Sequence, residues 1–219
     1  MDILLIAVAI IGGLALVVAI LSARAPTRVE YTEEIVVDAP VADVYDDIRL
    51  QDRLMRWSAW PKETKSTCAV DTDAARTGED GSVGARTVFF SKGKRVGHQE
   101  IVGLKENEEV AMTLVGPGPP HRPRLTFELV PEGPSRTRVL AHFVNELPRP
   151  FNAIWRFAGL SKWTREMHVK DLAGLKAFSE PPHRDADGLV VGRPPREPNP
   201  YEVTMPGTSA APTAVPATA

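Results

Sequence analysis

Between residues 64 and 146 the chain offers one strand-like segment after another, all but the first two joined by connections too short for a crossover, and this limits the possible folds more than any other feature. Residues 64–70, 85–90, 95–104, 109–115, 124–130 and 136–146 are rich in β-branched and aromatic side chains. Turn chemistry separates them at residues 78–84, 91–94, 106–107, 116–123 and 131–135. Parallel neighbours need a crossover of about a dozen residues or more, so short connections imply antiparallel neighbours and the strands are expected to form a meander. Residues 29–37, with Tyr31, Ile35 and Val37 in alternation, add a strand ahead of them and bring the expected sheet to about seven strands.

One face of such a sheet is apolar and needs a cover, which residues 151–178 supply. At about 100° per residue, Leu160, Trp163, Met167, Leu172, Leu175 and Phe178 share one arc of a helix, with Lys162, Arg165, Glu166, Lys170 and Lys176 opposite. The preceding set Phe151, Ile154, Trp155 and Ala158 is also helically spaced, but about half a turn out of phase, and Gly159 stands at the phase change. This predicts a break at residues 159–161, with Ser161 capping the restarted helix. Near the start, Asp38-Ala39-Pro40 ends the first strand and opens a helix, Asp38 as its cap and Val41, Val44, Tyr45 and Ile48 on its buried side. A shorter helical piece follows at residues 51–55, and Trp57-Ser58-Ala59-Trp60-Pro61 reads as a packed turn.

The two ends differ from this middle. Residues 3–23 are an uncharged run of mostly Leu, Ile, Val and Ala, and at ~1.5 Å per residue they match the ~30 Å of a bilayer core. A cleaved signal peptide, with Ala23-Arg24-Ala25 as its site, is the rival reading. Such a peptide has a basic start and a shorter apolar core, whereas this chain opens Met1-Asp2, so a retained single-pass anchor is expected. Arg24 and Arg28 follow the span and no Lys or Arg precedes it, which places the domain in the cytoplasm by the positive-inside bias. Residues 181–219 are dominated by Pro, Ala, Thr and charge and are expected to be disordered. The division is therefore an anchor at 1–25, one domain at 26–180 and a tail at 181–219. A formal net charge of -2 with interspersed signs argues against nucleic acid as a partner. Cys68 is the single cysteine, so no intrachain disulfide or cysteine-cluster metal site is available; a small buried residue is its expected role.

The run Asp38-Ala39-Pro40-Val41-Ala42-Asp43-Val44-Tyr45-Asp46-Asp47-Ile48, followed by Trp57-Ser58-Ala59-Trp60, resembles the opening of the SRPBCC (START-like, Bet v 1-like) superfamily. Its polyketide cyclase/dehydrase-like branch, several of whose bacterial members carry an N-terminal membrane span, is the most similar. Gly81-Ser82-Val83-Gly84-Ala85, Thr137-Arg138-Val139 and Leu172-Ala173-Gly174-Leu175-Lys176 extend the resemblance over residues 29–180. It implies an α+β helix-grip fold, a curved seven-stranded antiparallel sheet wrapped around a long C-terminal helix, with an apolar cavity between them. It also implies a hydrophobic ligand, a lipid, sterol or polyketide, and in some members cyclisation or dehydration. No single catalytic motif of the family maps onto this sequence, and no cofactor is expected.

Candidate chemistry is sparse. His168 and Asp171, three apart on the helix, can form an acid/base pair beside the cavity, or lie at the rim of the arc and meet solvent. Asn145, on the strand face of Val139, Ala141 and Phe143, can present an amide to a ligand. His98, Glu100 and His142 lack zinc-ligand spacing, so no metal is expected and both strand histidines are read as facing solvent. Trp57, Trp60, Phe89, Phe127, Phe143, Trp155, Trp163 and Met167 are the expected cavity lining. Three functions compete: a membrane-anchored binder of a hydrophobic small molecule or lipid, a cyclase/dehydrase-type enzyme, and a scaffold recruiting a protein through Pro194-Pro195-Arg196-Glu197-Pro198. The binder is preferred, because catalysis needs a positioned acid or base that only His168 and Asp171 approach.

Overall fold

The expected meander is present in a computed structural model of the chain, which describes residues 2–73, 77–116, 122–180, 201–203 and 205. In chain order the elements are α1 (Asp2–Arg24), β1 (Arg28–Val37), α2 (Val41–Arg49), α3 (Gln51–Trp57), α4 (Trp60–Thr64), β2 (Thr67–Asp71) and β3 (Arg86–Ser91). They continue with β4 (Lys94–Lys105), β5 (Glu109–Val115), β6 (Arg124–Gly133), β7 (Arg136–Glu146), α5 (Phe151–Phe157) and α6 (Leu160–Ser179). The strands form one seven-stranded antiparallel sheet in the order β1-β7-β6-β5-β4-β3-β2. Register shifts between Phe89 and Phe90, Ile101 and Gly103, and Pro131 and Gly133 bend the ladder, as bulges do. The result is a curved sheet gripping α6, an α+β helix-grip fold.

Burial follows the strand alternation. On β7, Val139, Ala141, Phe143 and Asn145 point inward, and Leu125, Phe127 and Leu129 do so on β6. Val44 and Ile48 of α2 and Leu172 and Leu175 of α6 close the other side of this core. Gly174 lets α6 approach closely, since a Cβ there would lie 2.2 Å from the Trp57 carbonyl oxygen. Asp47, fully buried, ties three helices together: its carboxylate accepts from Ser179 Oγ at 2.9 Å and pairs with Arg53 at 3.1 Å, while its backbone carbonyl accepts from Trp57 Nε1 at 2.9 Å.

Several local expectations need correction. Asp38 does not cap α2: Pro40, still extended at ψ 144°, holds the cap position, so the helix starts beyond the reach of the Asp38 carboxylate. The turn at Trp57–Pro61 contains a short helix, α4, with Pro61 in its first turn, and β2 accordingly begins at Thr67 and not at Thr64. The break near Gly159 is real, but Gly159 itself takes the cap position at φ 74°, a left-handed conformation that suits glycine, and Ser161 makes no cap. Trp163 does not face the sheet squarely. It is 40% exposed, because the buried face of α6 centres on Thr164, Met167, His168, Asp171, Leu172 and Leu175.

The tail is not uniformly without structure. Cys68 N–H donates to the Tyr201 carbonyl at 2.7 Å and Val203 N–H to the Cys68 carbonyl at 2.8 Å, extending the exposed edge of β2 in parallel at Glu202. The disorder expected over residues 181–219 falls, at 181–200, 204 and 206–219, outside the described residues, as does the proline-rich motif at 194–198. Cys68 itself is buried. α1 is long and apolar enough to cross a membrane.

Candidate functional site

A cavity of about 300 Å³ lies beneath the N-terminal half of α6, at one end of the sheet. Its helical wall is Trp60 and Thr64 of α4, Trp155 of α5, and Trp163 and Thr164 of α6. The sheet contributes Phe89 and Ser91 of β3, Val96, Gly97 and His98 of β4, Leu114 and Val115 of β5, and Phe143 of β7, with Ser66, Gly116 and Pro123 completing the rim. Trp60 and Trp163 meet edge to face, ring centres 5.3 Å apart. The backbones of β4 and β5 come close here, since a Cβ on Gly97 would lie 2.4 Å from the Val115 carbonyl oxygen.

Of the aromatic set, Trp60, Phe89, Phe143, Trp155 and Trp163 line this cavity. Trp57, Phe127 and Met167 do not; they are buried in the packed core, where the Trp57 ring meets Phe127 edge to face at 6.3 Å. An inward aromatic looks the same in sequence whether its neighbour is a cavity or another side chain. His98 also departs from expectation. It lines the cavity and does not face solvent, and burial, with Arg86 and Arg95 nearby, lowers its pKa. His142 is the surface histidine, held between Thr32 at 2.9 Å and Glu128 at 3.0 Å. Val96, Gly97, Leu114, Val115 and Thr164 were missed, since short aliphatic and polar residues on strands and helix carry no cavity signal of their own.

The His168–Asp171 pair takes an unexpected place. Both are buried at the centre of the α6 face, at 2% and 4% exposure, and not at its rim. They also face different neighbours. Asp171 Oδ1 accepts from Ala59 N–H at 2.7 Å and Ser58 Oγ at 3.1 Å, fastening α6 to the α3–α4 junction. Burial raises its pKa to about 7, against the pull of hydrogen bonds from Ala59, Ser58 and the Trp60 side chain. His168 Nδ1 instead shares a hydrogen bond with the Tyr31 hydroxyl at 2.9 Å, and its ring packs 4.9 Å from that of Phe143. Burial lowers the His168 pKa to about 4 and holds the Tyr31 hydroxyl protonated, well above its usual range. No carboxylate orients the imidazole, which is neutral near pH 7. It serves as a hydrogen-bonding group and is poorly suited to carry protons.

Three buried polar groups stand out because their hydrogen bonds are unmade: His168 Nε2, Thr164 Oγ1, and both the nitrogen and the oxygen of the Asn145 side chain, a fully buried residue. The topology brings them together. Lys176 of α6 reaches the Val36 carbonyl of β1 at 2.7 Å and His168 reaches Tyr31, so Thr164, one turn earlier, lies towards Val29. Asn145 is the cross-strand partner of Val29 and sits two residues beyond Phe143 on the same face. Thr164 and Phe143 both line the cavity, whereas Asn145 and His168 lie next to them in the fold and outside its lining. Among the described residues no cluster of His, Cys, Asp and Glu is arranged to hold a metal.

With this geometry in view, comparison with known proteins bears on the fold alone. No protein-family model matches the chain, and no curated protein matches it significantly. A solved structure of a protein from Nitrosospira multiformis aligns with 69% of this chain and 96% of its own at a TM-score of 0.50 and 22% identity. A hypothetical protein from Helicobacter pylori aligns over 69% of this chain and 88% of its own at 0.51 and 13% identity. A norcoclaurine synthase from Thalictrum, solved with a transition-state analogue, covers 68% of this chain and 94% of its own at 0.48 and 12% identity, too distant to bear on function.

Proposed function

We propose that this chain is a membrane-anchored, SRPBCC-like helix-grip protein that holds a hydrophobic small molecule or lipid in the cavity beneath α6. The observation that carries this reading is the cavity, about 300 Å³ walled by five aromatic rings and short aliphatic side chains with few polar groups. Sites for apolar ligands are built this way. The unpaired polar groups at and behind the Thr164 and Phe143 wall supply the specificity. Each buried polar group left unpaired costs about 1–3 kcal/mol, which a ligand can recover by pairing with it. Asn145, Thr164 and His168 together offer donors and acceptors, and the imidazole is neutral, so the matching ligand is an amphiphile with an apolar body and one uncharged polar end, a hydroxyl, carbonyl or amide. α1 supports the anchor, and Arg24 in its last turn and Arg28 just beyond it support a cytoplasmic domain.

The test is native mass spectrometry of the full chain extracted from its membrane. A bound apolar molecule is expected in the wild type and should be absent from Leu114→Arg, which puts a charge on the cavity wall. A wild type that carries nothing and takes up no added long-chain alcohol overturns the reading. A molecule that is chemically converted while bound replaces binding with catalysis.

A further inference from the structure

α5 is fastened to the end of α1 by hydrogen bonds that are all buried. Asn152 Nδ2 donates to the carbonyls of Ser22 at 2.8 Å and Ala25 at 2.9 Å, and Ser22 Oγ donates to Asn152 Oδ1 at 2.7 Å. The apolar helix from Ile3 to Arg24 has 22 residues, which at ~1.5 Å each is about the ~30 Å depth of a bilayer core. If α1 spans, its end at Arg24 lies at the membrane surface, and the first turn of α5 is held at that same depth.

The side of α5 that the domain leaves uncovered is apolar. Phe151, Ile154 and Phe157 are 39%, 52% and 62% exposed, and their spacing sets them on one arc of the helix. Trp163, 40% exposed, follows just after the Gly159 break. The charged residues from 149 to 163 are Arg149, Arg156 and Lys162, all basic and all exposed. Exposed aromatic and aliphatic groups flanked by cations are the composition of a helix lying in a lipid interface, where the cations meet anionic headgroups. Trp155 and Trp163 also line the cavity, so one of its walls borders this surface.

We propose that α5 docks on the leaflet from which α1 emerges, with Phe151, Ile154 and Phe157 among the acyl chains, so that the cavity opens at the membrane surface and its ligand enters from the bilayer. Docking rests on the anchor reading, and the entry route rests also on the ligand-binding reading. The experiment needs no ligand. Full-length Ile154→Cys and Phe157→Cys, with exposed Lys170→Cys as the control and the wild type as the blank for buried Cys68, are labelled with an environment-sensitive fluorophore. They are reconstituted in vesicles of equal parts phosphatidylcholine and phosphatidylglycerol. Labels at 154 and 157 should emit as in an apolar medium and be quenched several-fold by doxyl lipids, while the label at 170 reads as water. Labels at 154 and 157 that match the one at 170 overturn docking while the anchor stands. A chain released from the vesicles by alkaline carbonate overturns anchor and docking together. Ligand entry has its own readout: Ile154→Asp with Phe157→Asp should slow loading of a pyrene-labelled alcohol from vesicles without changing the amount bound in detergent. Equal loading rates overturn the entry route.

Discussion

The two halves of α6 lie in the same grip and differ in what they touch. From Asp171 to Ser179 the helix is packed to contact: Leu172 and Leu175 fill the core, Gly174 rests on the Trp57 backbone, and the buried Asp171 and Ser179 side chains both have partners. In the first half the helix meets a cavity at Trp163 and Thr164, Trp163 stands 40% exposed, and Thr164 and His168 keep polar atoms unpaired. A single helix thus anchors the fold with one end and offers a site with the other. Stability and function can be separated along its length.

Substitutions on the packed half should show the largest effects. Gly174→Val must push its side chain into the Trp57 carbonyl and should cost at least about 3 kcal/mol, the upper end for overpacking, seen as loss of the cooperative thermal transition. Gly159, by contrast, has nothing within 4 Å of a built Cβ. Gly159→Ala carries only the left-handed backbone cost of about 1–2 kcal/mol, and a loss equal to that of Gly174→Val would erase the distinction between the halves. Leu175→Ala, at a fully buried site, should lose about 2–5 kcal/mol in urea unfolding. Trp163→Ala should lose no more than about 1–2 kcal/mol, mostly its edge contact with Trp60, while ligand retention in native mass spectrometry falls markedly.

A subtler difference lies in pH dependence. Folded Asp171 keeps its proton up to about 7, whereas in the unfolded chain it titrates near 3.8. Across that window the native state binds the extra proton, so stability falls as pH rises, with the full penalty present above about 7. His168 acts in the opposite sense. Its folded pKa is about 4 against 6.5 unfolded, so the unfolded state binds more protons between them and stability rises with pH there. The two slopes oppose each other in the wild type. Asp171→Asn should expose the rise and His168→Gln the fall, read from urea midpoints across the window, and variants with parallel profiles would show that neither group titrates as placed. The smallest effect is expected of Thr164→Val. Removing an unpaired buried hydroxyl should leave stability within about 0.5 kcal/mol of wild type or raise it, while weakening the ligand.

Much of this architecture was legible in the residues. Alternation and short turns made the antiparallel pairing of β3 to β7 legible, because short loops leave no room for a crossover, and the phase change at Gly159 marked the break between α5 and α6. The candidate site was less legible. His168 and Asp171 looked like rim residues because helical periodicity is read from apolar side chains, and a buried polar residue paired by Tyr31 or Ala59 does not register until those partners arrive from elsewhere in the chain. Trp163 fell on the apolar arc by the same periodicity, yet it is 40% exposed while lining the cavity.

What the sequence determined by itself was therefore local: which segments are strands, which of the longer segments are helices, and that α1 is apolar enough to span. Only the tertiary structure decided that the cavity lies at one end of α6, that His168 is buried against Tyr31, that Asn152 clasps the end of α1, and that Tyr201–Val203 return to the edge of β2. The physical reason is range. Turns, caps and periodicity act over a few neighbouring residues, whereas these features depend on contacts between segments about a hundred residues apart, which the chain acquires only when the sheet curls around its helix.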